Sequence, residues 1–118
     1  MANREFLVPS DEEILDALGV VPEVSVDDPM VQVVRVSTAS GDVVSLSYDV
    51  VGRSVRCQWN RDSIPLVDLF REAATELTVE SGHGVARLVV RFETEVLGGE
   101  LDIQVYPAVR VNDRLLFR

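Results

Sequence analysis

Residues 42–60 read DVVSLSYDVVGRSVRCQWN. Val44, Leu46, Tyr48 and Val50 alternate with Ser45, Ser47 and Asp49. Beyond Gly52-Arg53, Val55, Cys57 and Trp59 alternate with Arg56, Gln58 and Asn60. An apolar period of two marks a strand with one buried face. Gly52-Arg53 has glycine first, as a two-residue type II′ turn prefers. That turn predicts Val50 opposite Val55, Tyr48 opposite Cys57 and Leu46 opposite Trp59, with Asp49 facing Arg56 on the other side. Slipping one strand by one residue would set apolar side chains against polar ones along its whole length.

The same logic extends upstream. A strand from Met30 to Thr38, joined by an Ala39-Ser40-Gly41 loop, puts Val36 opposite Val44, Val34 opposite Leu46 and Arg35 opposite Ser45. Gly41 then takes the bulge position, where a left-handed backbone is needed. Nearer the start, Ser10 and Glu13 have capping-box spacing, and Asp11, Glu12 and Glu13 complement the positive end of a helix dipole. Ile14, Leu15 and Leu18 form one apolar face, and Gly19 and Pro22 stop that helix.

Downstream, Leu66, Val67, Leu69, Phe70, Ala73, Ala74 and Leu77 fall at helical spacing. Pro65 suits the first turn and Asp62 or Ser63 the cap, which predicts a second, main helix. A short strand around Thr78 to Ser81 turns at Gly82-His83-Gly84. A long strand then carries Ala86, Leu88, Val90, Phe92, Thr94 and Val96 on one side. A Gly98-Gly99 turn predicts Val96 opposite Leu101 and Phe92 opposite Val105. Pro107 ends that strand, and Leu115-Leu116-Phe117 is apolar enough to dock as a last one.

The expected fold is α+β, with residues 1–118 as a single domain. It is a two-layer sandwich of about six mostly antiparallel strands, in the order α-β-β-β-α-β-β-β, with one main helix packed on one face.

Composition narrows function by exclusion. The net charge is -9, from 20 acidic and 11 basic residues, and every basic residue is arginine. Such a surface repels phosphate, so nucleic acid and anionic membranes are poor partners and a basic protein is a good one. No stretch has the length of a membrane span, and nothing resembles a signal peptide, so a cytoplasmic protein is expected.

Residues able to do chemistry are scarce. His83 is the only histidine and lies between two glycines in a turn, so a zinc site built from two or three histidines is excluded. Cys57 alternates inward with Val55 and Trp59, as a small buried hydrophobe rather than an activated thiolate. Tyr48 and Trp59 share that face as core aromatics. No nucleotide loop, triad or cofactor motif is present, and no metal or other cofactor is expected.

The carboxylates gather at one place. The Gly98-Gly99 register sets Glu95 against Asp102, with Glu93 and Glu100 nearby; Tyr106 falls outward beside Arg91. Like charges directly opposed cost stability, a cost that a cationic partner would relieve. Glu93, Glu95, Glu100, Asp102, Arg91 and Tyr106 are therefore the expected partner-binding residues.

These readings favour a non-enzymatic, acidic interaction protein of the immunity or inhibitor type, which binds and neutralises a basic protein. The alternative is a small-molecule-binding or catalytic domain with a pocket between helix and sheet. Tyr48, Cys57, Thr94 and Gln32 are a thin supply of inward polar groups for it. A homo-oligomer is compatible with either, because Val31, Val33, Val85 and Val89 fall outward.

Overall fold

The computed structural model describes residues 5–117. Its first element, α1 (Asp11–Leu18), obeys its boundary signals. The Ser10 side chain accepts the Glu13 N–H, Glu13 reaches back to the Ser10 N–H, and Gly19 turns left-handed at φ 77. Ile14 and Leu18 are buried, while Leu15 is 46% exposed.

Everything after α1 is strand. The order is β1 (Glu23–Val24), β2 (Val31–Ser37), β3 (Asp42–Asp49), β4 (Ser54–Arg61), β5 (Ile64–Arg71), β6 (Ala74–Gly82), β7 (Val85–Glu93), β8 (Leu97–Tyr106) and β9 (Arg110–Phe117). β1 to β5 form one antiparallel sheet and β6 to β9 a second, each pairing in chain order. Strand takes up 62% and helix 7%. The expected α+β sandwich with six strands and one main helix is therefore wrong: the chain is mostly β, with two sheets and one short helix.

The error has a local cause. The segment with helical spacing is split between β5 and β6, on different sheets. β5 is an edge strand, and its outward positions hold Leu66 and Phe70, 47% and 54% exposed. Those apolar residues fill the polar half of an alternating pattern and make it look helical. Pro65 sits where the β4–β5 register shifts, a place in an edge strand that tolerates a missing N–H. Asp62 and Ser63 are not a helix cap. Both have positive φ, 49 and 68, and they form the tight turn between β4 and β5. A pocket between a main helix and the sheet loses the helix it required.

The β2–β3 register is as predicted: Val36 faces Val44, Val34 faces Leu46, Arg35 faces Ser45, and Gly41 is left-handed at φ 88. The β3–β4 register differs by two residues. Tyr48 faces Val55, Leu46 faces Cys57, Val44 faces Trp59, and Ser47, not Asp49, faces Arg56. The turn spans residues 50–53, and the Asp49 carboxylate accepts the Gly52 N–H at 2.9 Å. A shift of two preserves which face each side chain occupies, so Val44, Leu46, Tyr48, Val55 and Cys57 stay buried although the partners change, Trp59 is half-buried, and Val50 leaves the strand for the turn, 43% exposed.

The β7–β8 hairpin is shifted by more. Its loop is residues 94–96, closed by Thr94 and Leu97 through backbone and hydroxyl bonds. Gly98 and Gly99 lie inside β8, facing Glu93 and Phe92. A Cβ on Gly99 would come within 2.7 Å of the Arg114 carbonyl oxygen, so that glycine serves strand packing and not a turn.

The inward faces of both sheets share one core with Phe6, Ile14 and Leu18. Val34, Leu46, Cys57 and Leu69 form one row across β2 to β5; Leu77, Val90 and Leu101 form another across β6 to β8. Each fully buried aliphatic side chain here contributes about 1.5–3 kcal/mol of transfer free energy. The N-terminal arm covers part of the β6 edge, where Leu7 bridges Glu76 in parallel.

Candidate functional site: two outer faces

With the inner faces committed to the core, the outer faces of the two sheets are what the molecule presents. On the four-stranded sheet, charges alternate across the strands. Glu76, Arg91, Glu100 and Arg114 lie in one row, and Glu80, Arg87, Gln104 and Arg110 in the next but one. Arg91 contacts Glu76 at 2.7 Å and Glu100 at 3.8 Å. Arg87 contacts Asp102 at 3.3 Å and Glu80 at 3.7 Å.

This rearranges the acidic hairpin expected from sequence. Asp102 faces Val89, not Glu95, and Glu100 faces Arg91. Glu93 faces Gly98, and Glu95 is exposed in the 94–96 loop. Tyr106 is 43% exposed but lies opposite Ala86, at the far end of the hairpin from Arg91. Of the expected residues, Glu100 and Arg91 thus pair with each other, Asp102 pairs instead with Arg87, and Glu95 and Tyr106 lie at opposite ends. Of the valines expected outward, Val89 is buried and Val31, Val33 and Val85 are half-buried.

The outer face of the five-stranded sheet is concave. A groove of about 460 Å³ lies over β2, β3 and β4. Its floor is built from short side chains, Ser45, Ser47 and Ser54. Between them stand Arg35, which contacts Glu23 at 3.8 Å, and Arg56, held by both Asp68 oxygens at 2.9 and 2.8 Å. The Arg56 guanidinium holds the Asp68 carboxyl below the usual carboxylate range. One wall is β1 and the loop after it, through Asp28; the other carries Phe70.

That loop is held by its own backbone and side chains. The Ser25 N–H donates to the Val31 carbonyl at 2.8 Å, and the Met30 N–H donates to the Asp28 carboxylate at 2.9 Å. Asp27, Asp28 and Asp49 line the groove with no arginine in contact among the described residues. Exposed apolar side chains flank it: Val24 at 61%, Val26 fully out, and Phe70 at 54%. Sequence reasoning missed the groove. Its one readable signal was the run of outward serines, whose short side chains leave a depression on a sheet.

The remaining chemistry-bearing groups are structural. Burial pushes the Cys57 thiol up to about 12, so it stays protonated. Burial likewise raises Tyr48 to about 12, and its hydroxyl donates to Gln32 at 3.0 Å. Asp42, 3% exposed, accepts from Arg61 Nε and Trp59 Nε1, both at 2.9 Å; those bonds hold its carboxyl below the ordinary value. The Arg61 guanidinium lies 5.4 Å from the centre of the half-buried Trp59 ring. His83 is exposed in the β6–β7 turn at φ 55. Among the described residues no group of three or more His, Cys, Asp or Glu side chains stands together as a metal site, and no helix is long and apolar enough to cross a membrane.

No protein-family model matches the sequence, and no curated protein does. Among solved structures, the fold is similar to a chain of a contact-dependent growth inhibition toxin–immunity protein complex from Klebsiella pneumoniae 342. The TM-score is 0.82 at 12% identity, and the match covers 97% of this chain and 100% of that one. At that identity the likeness is one of fold.

Proposed function

We infer that the chain is an immunity- or inhibitor-type protein, which binds a toxin or enzyme and neutralises it by occupying its surface. The observation that carries this reading is the end-to-end likeness of fold to a chain of a toxin–immunity complex. The residues favour the neutralising component over the toxic one. A toxin that acts as an enzyme needs an activated nucleophile, acid–base pair or metal. Here the thiol is buried and protonated, the one histidine is in an exposed turn, and the one buried carboxylate is consumed by Trp59 and Arg61.

The net charge of -9 suits a basic partner protein and disfavours nucleic acid and anionic lipid. A cytoplasmic site of action fits a protein that meets its toxin inside the cell. The test is co-expression with each toxic domain that the neighbouring genes are found to encode. The reading expects growth to be restored and the two purified proteins to form a stable complex. Continued killing, with no complex, would reject it.

A further inference from the structure

We propose that the groove on the outer face of the five-stranded sheet is the docking surface, and that its occupant is an arginine-bearing loop of the basic partner protein. This rests on the functional reading above and adds the place and chemistry of recognition.

The two outer faces differ in how their charges are arranged. On the four-stranded sheet, Glu76, Glu80, Glu100 and Asp102 all lie against Arg87 or Arg91. An incoming cation there would have to displace an arginine already in place. In the groove, Arg35 and Arg56 have their own carboxylates in Glu23 and Asp68, which leaves Asp27, Asp28 and Asp49 in excess. Negative charge in a concave, partly desolvated place attracts a cation more strongly than the same charge on a flat surface.

Shape and apolar surface agree with charge. Wall to wall, from β1 to β5, four strand spacings give a width of about 19 Å, enough for a loop and too wide for a single side chain. Val24, Val26 and Phe70 are large apolar residues left open to solvent on the rim. Arginines on a loop have the chemistry for both walls: an aliphatic stem covers the valines on one, a guanidinium stacks on the phenylalanine ring on the other, and their charge answers the aspartates. The serine floor supplies hydroxyls to the backbone of the loop.

Two variants separate this from attraction to net charge alone. The first is Asp27→Asn, Asp28→Asn and Asp49→Asn together; asparagine keeps the acceptors that hold Met30 and Gly52. The second is Glu93→Gln, Glu95→Gln, Glu100→Gln and Asp102→Asn together, which removes one more charge from the other sheet. Against the toxic domain that co-expression identifies as the partner, the groove set is expected to weaken binding by about tenfold or more and flatten its salt dependence. Phe70→Ser is expected to weaken it by about tenfold. The hairpin set is expected to stay within about threefold of the wild type. The reverse ranking overturns the proposal.

A second measurement tests the groove without that toxin. In an NMR titration with a short arginine-rich peptide at low salt, the proposal expects shifts at the amides of Ser45, Ser47, Asp49 and Asp27. Shifts confined to Glu93, Glu95, Glu100 and Asp102 overturn it. A wild-type protein that ignores the toxin but takes the peptide in the groove would reject the functional reading and leave the groove standing.

Discussion

The two sheets are alike inside and unlike outside. Each turns a row of valines, leucines and isoleucines inward, into one shared core. Outside, the four-stranded sheet answers its carboxylates with arginines across adjacent strands, while the five-stranded sheet hollows into a groove with aspartates in excess. Charge neutralised in place stabilises a surface but has little left for a partner. Charge left over costs a little stability and is available for binding. The same -9 protein therefore has one outer face whose charges are matched in place and one that carries carboxylates in excess.

The likeness inside predicts the largest effects. Leu46→Ala and Ile103→Ala, one from each sheet and both fully buried, should each cost about 2–5 kcal/mol in urea unfolding. A large loss from only one of them would break the claim of a common core.

Next comes an asymmetry within that core. Among the described residues, Asp42 is the one buried carboxylate, and it belongs to the five-stranded sheet. The hydrogen bonds from Arg61 and Trp59 hold its folded value below the ordinary 3.8. The stability it contributes is therefore complete above 3.8 and is lost as pH falls through the lower folded value. Urea unfolding at a series of acidic pH values should show a steeper loss for the wild type than for Asp42→Asn. Parallel curves would mean that Asp42 does not carry the linkage.

Smaller effects sharpen the contrast between the outer faces. Arg91→Ala leaves Glu76 and Glu100 without their shared cation and should cost about 1 kcal/mol or less. Smallest of all, the triple Asn replacement of Asp27, Asp28 and Asp49 should leave the unfolding free energy within about 0.5 kcal/mol of the wild type. A large loss from the triple variant would show that those aspartates serve the fold, and the contrast would collapse.

What could be read from sequence follows from which signals are local. The Ser10–Glu13 cap, the Gly19 stop and the Gly41 bulge each depend on a few neighbouring residues, and each is where the sequence puts it. The β3 and β4 faces were legible too, because parity survives a shift of two. Gly52-Arg53 and Gly98-Gly99 misled because glycine serves more than turns. At Gly52 the Asp49 side chain sets a longer turn, and at Gly99 a neighbouring carbonyl demands the missing Cβ. The misread second helix has a local cause: Leu66 and Phe70, apolar but exposed, stand at outward positions of β5 and blur its period of two. The groove needs β2, β3 and β4 side by side before its serines mean anything, and no linear pattern carries that. The acidic hairpin came apart as a cluster because its turn lies at residues 94–96 and not at Gly98-Gly99, which sets Glu100 against Arg91 and Asp102 against Val89.

Because both sheets pair each strand with the next, the chain divides cleanly at Glu72-Ala73, where it passes from one sheet to the other. Contacts within each half span short loops, a topology that closes quickly for an all-β protein. Neither half is self-sufficient, since each alone would expose the apolar face that the other covers. A piece ending at Glu72 and one starting at Ala73 should therefore be poorly soluble apart and recover the native fold when mixed. Phe6, Leu7, Ile14 and Leu18 of the first piece also close on the β6 side of the second, giving the reassembly a second point of grip.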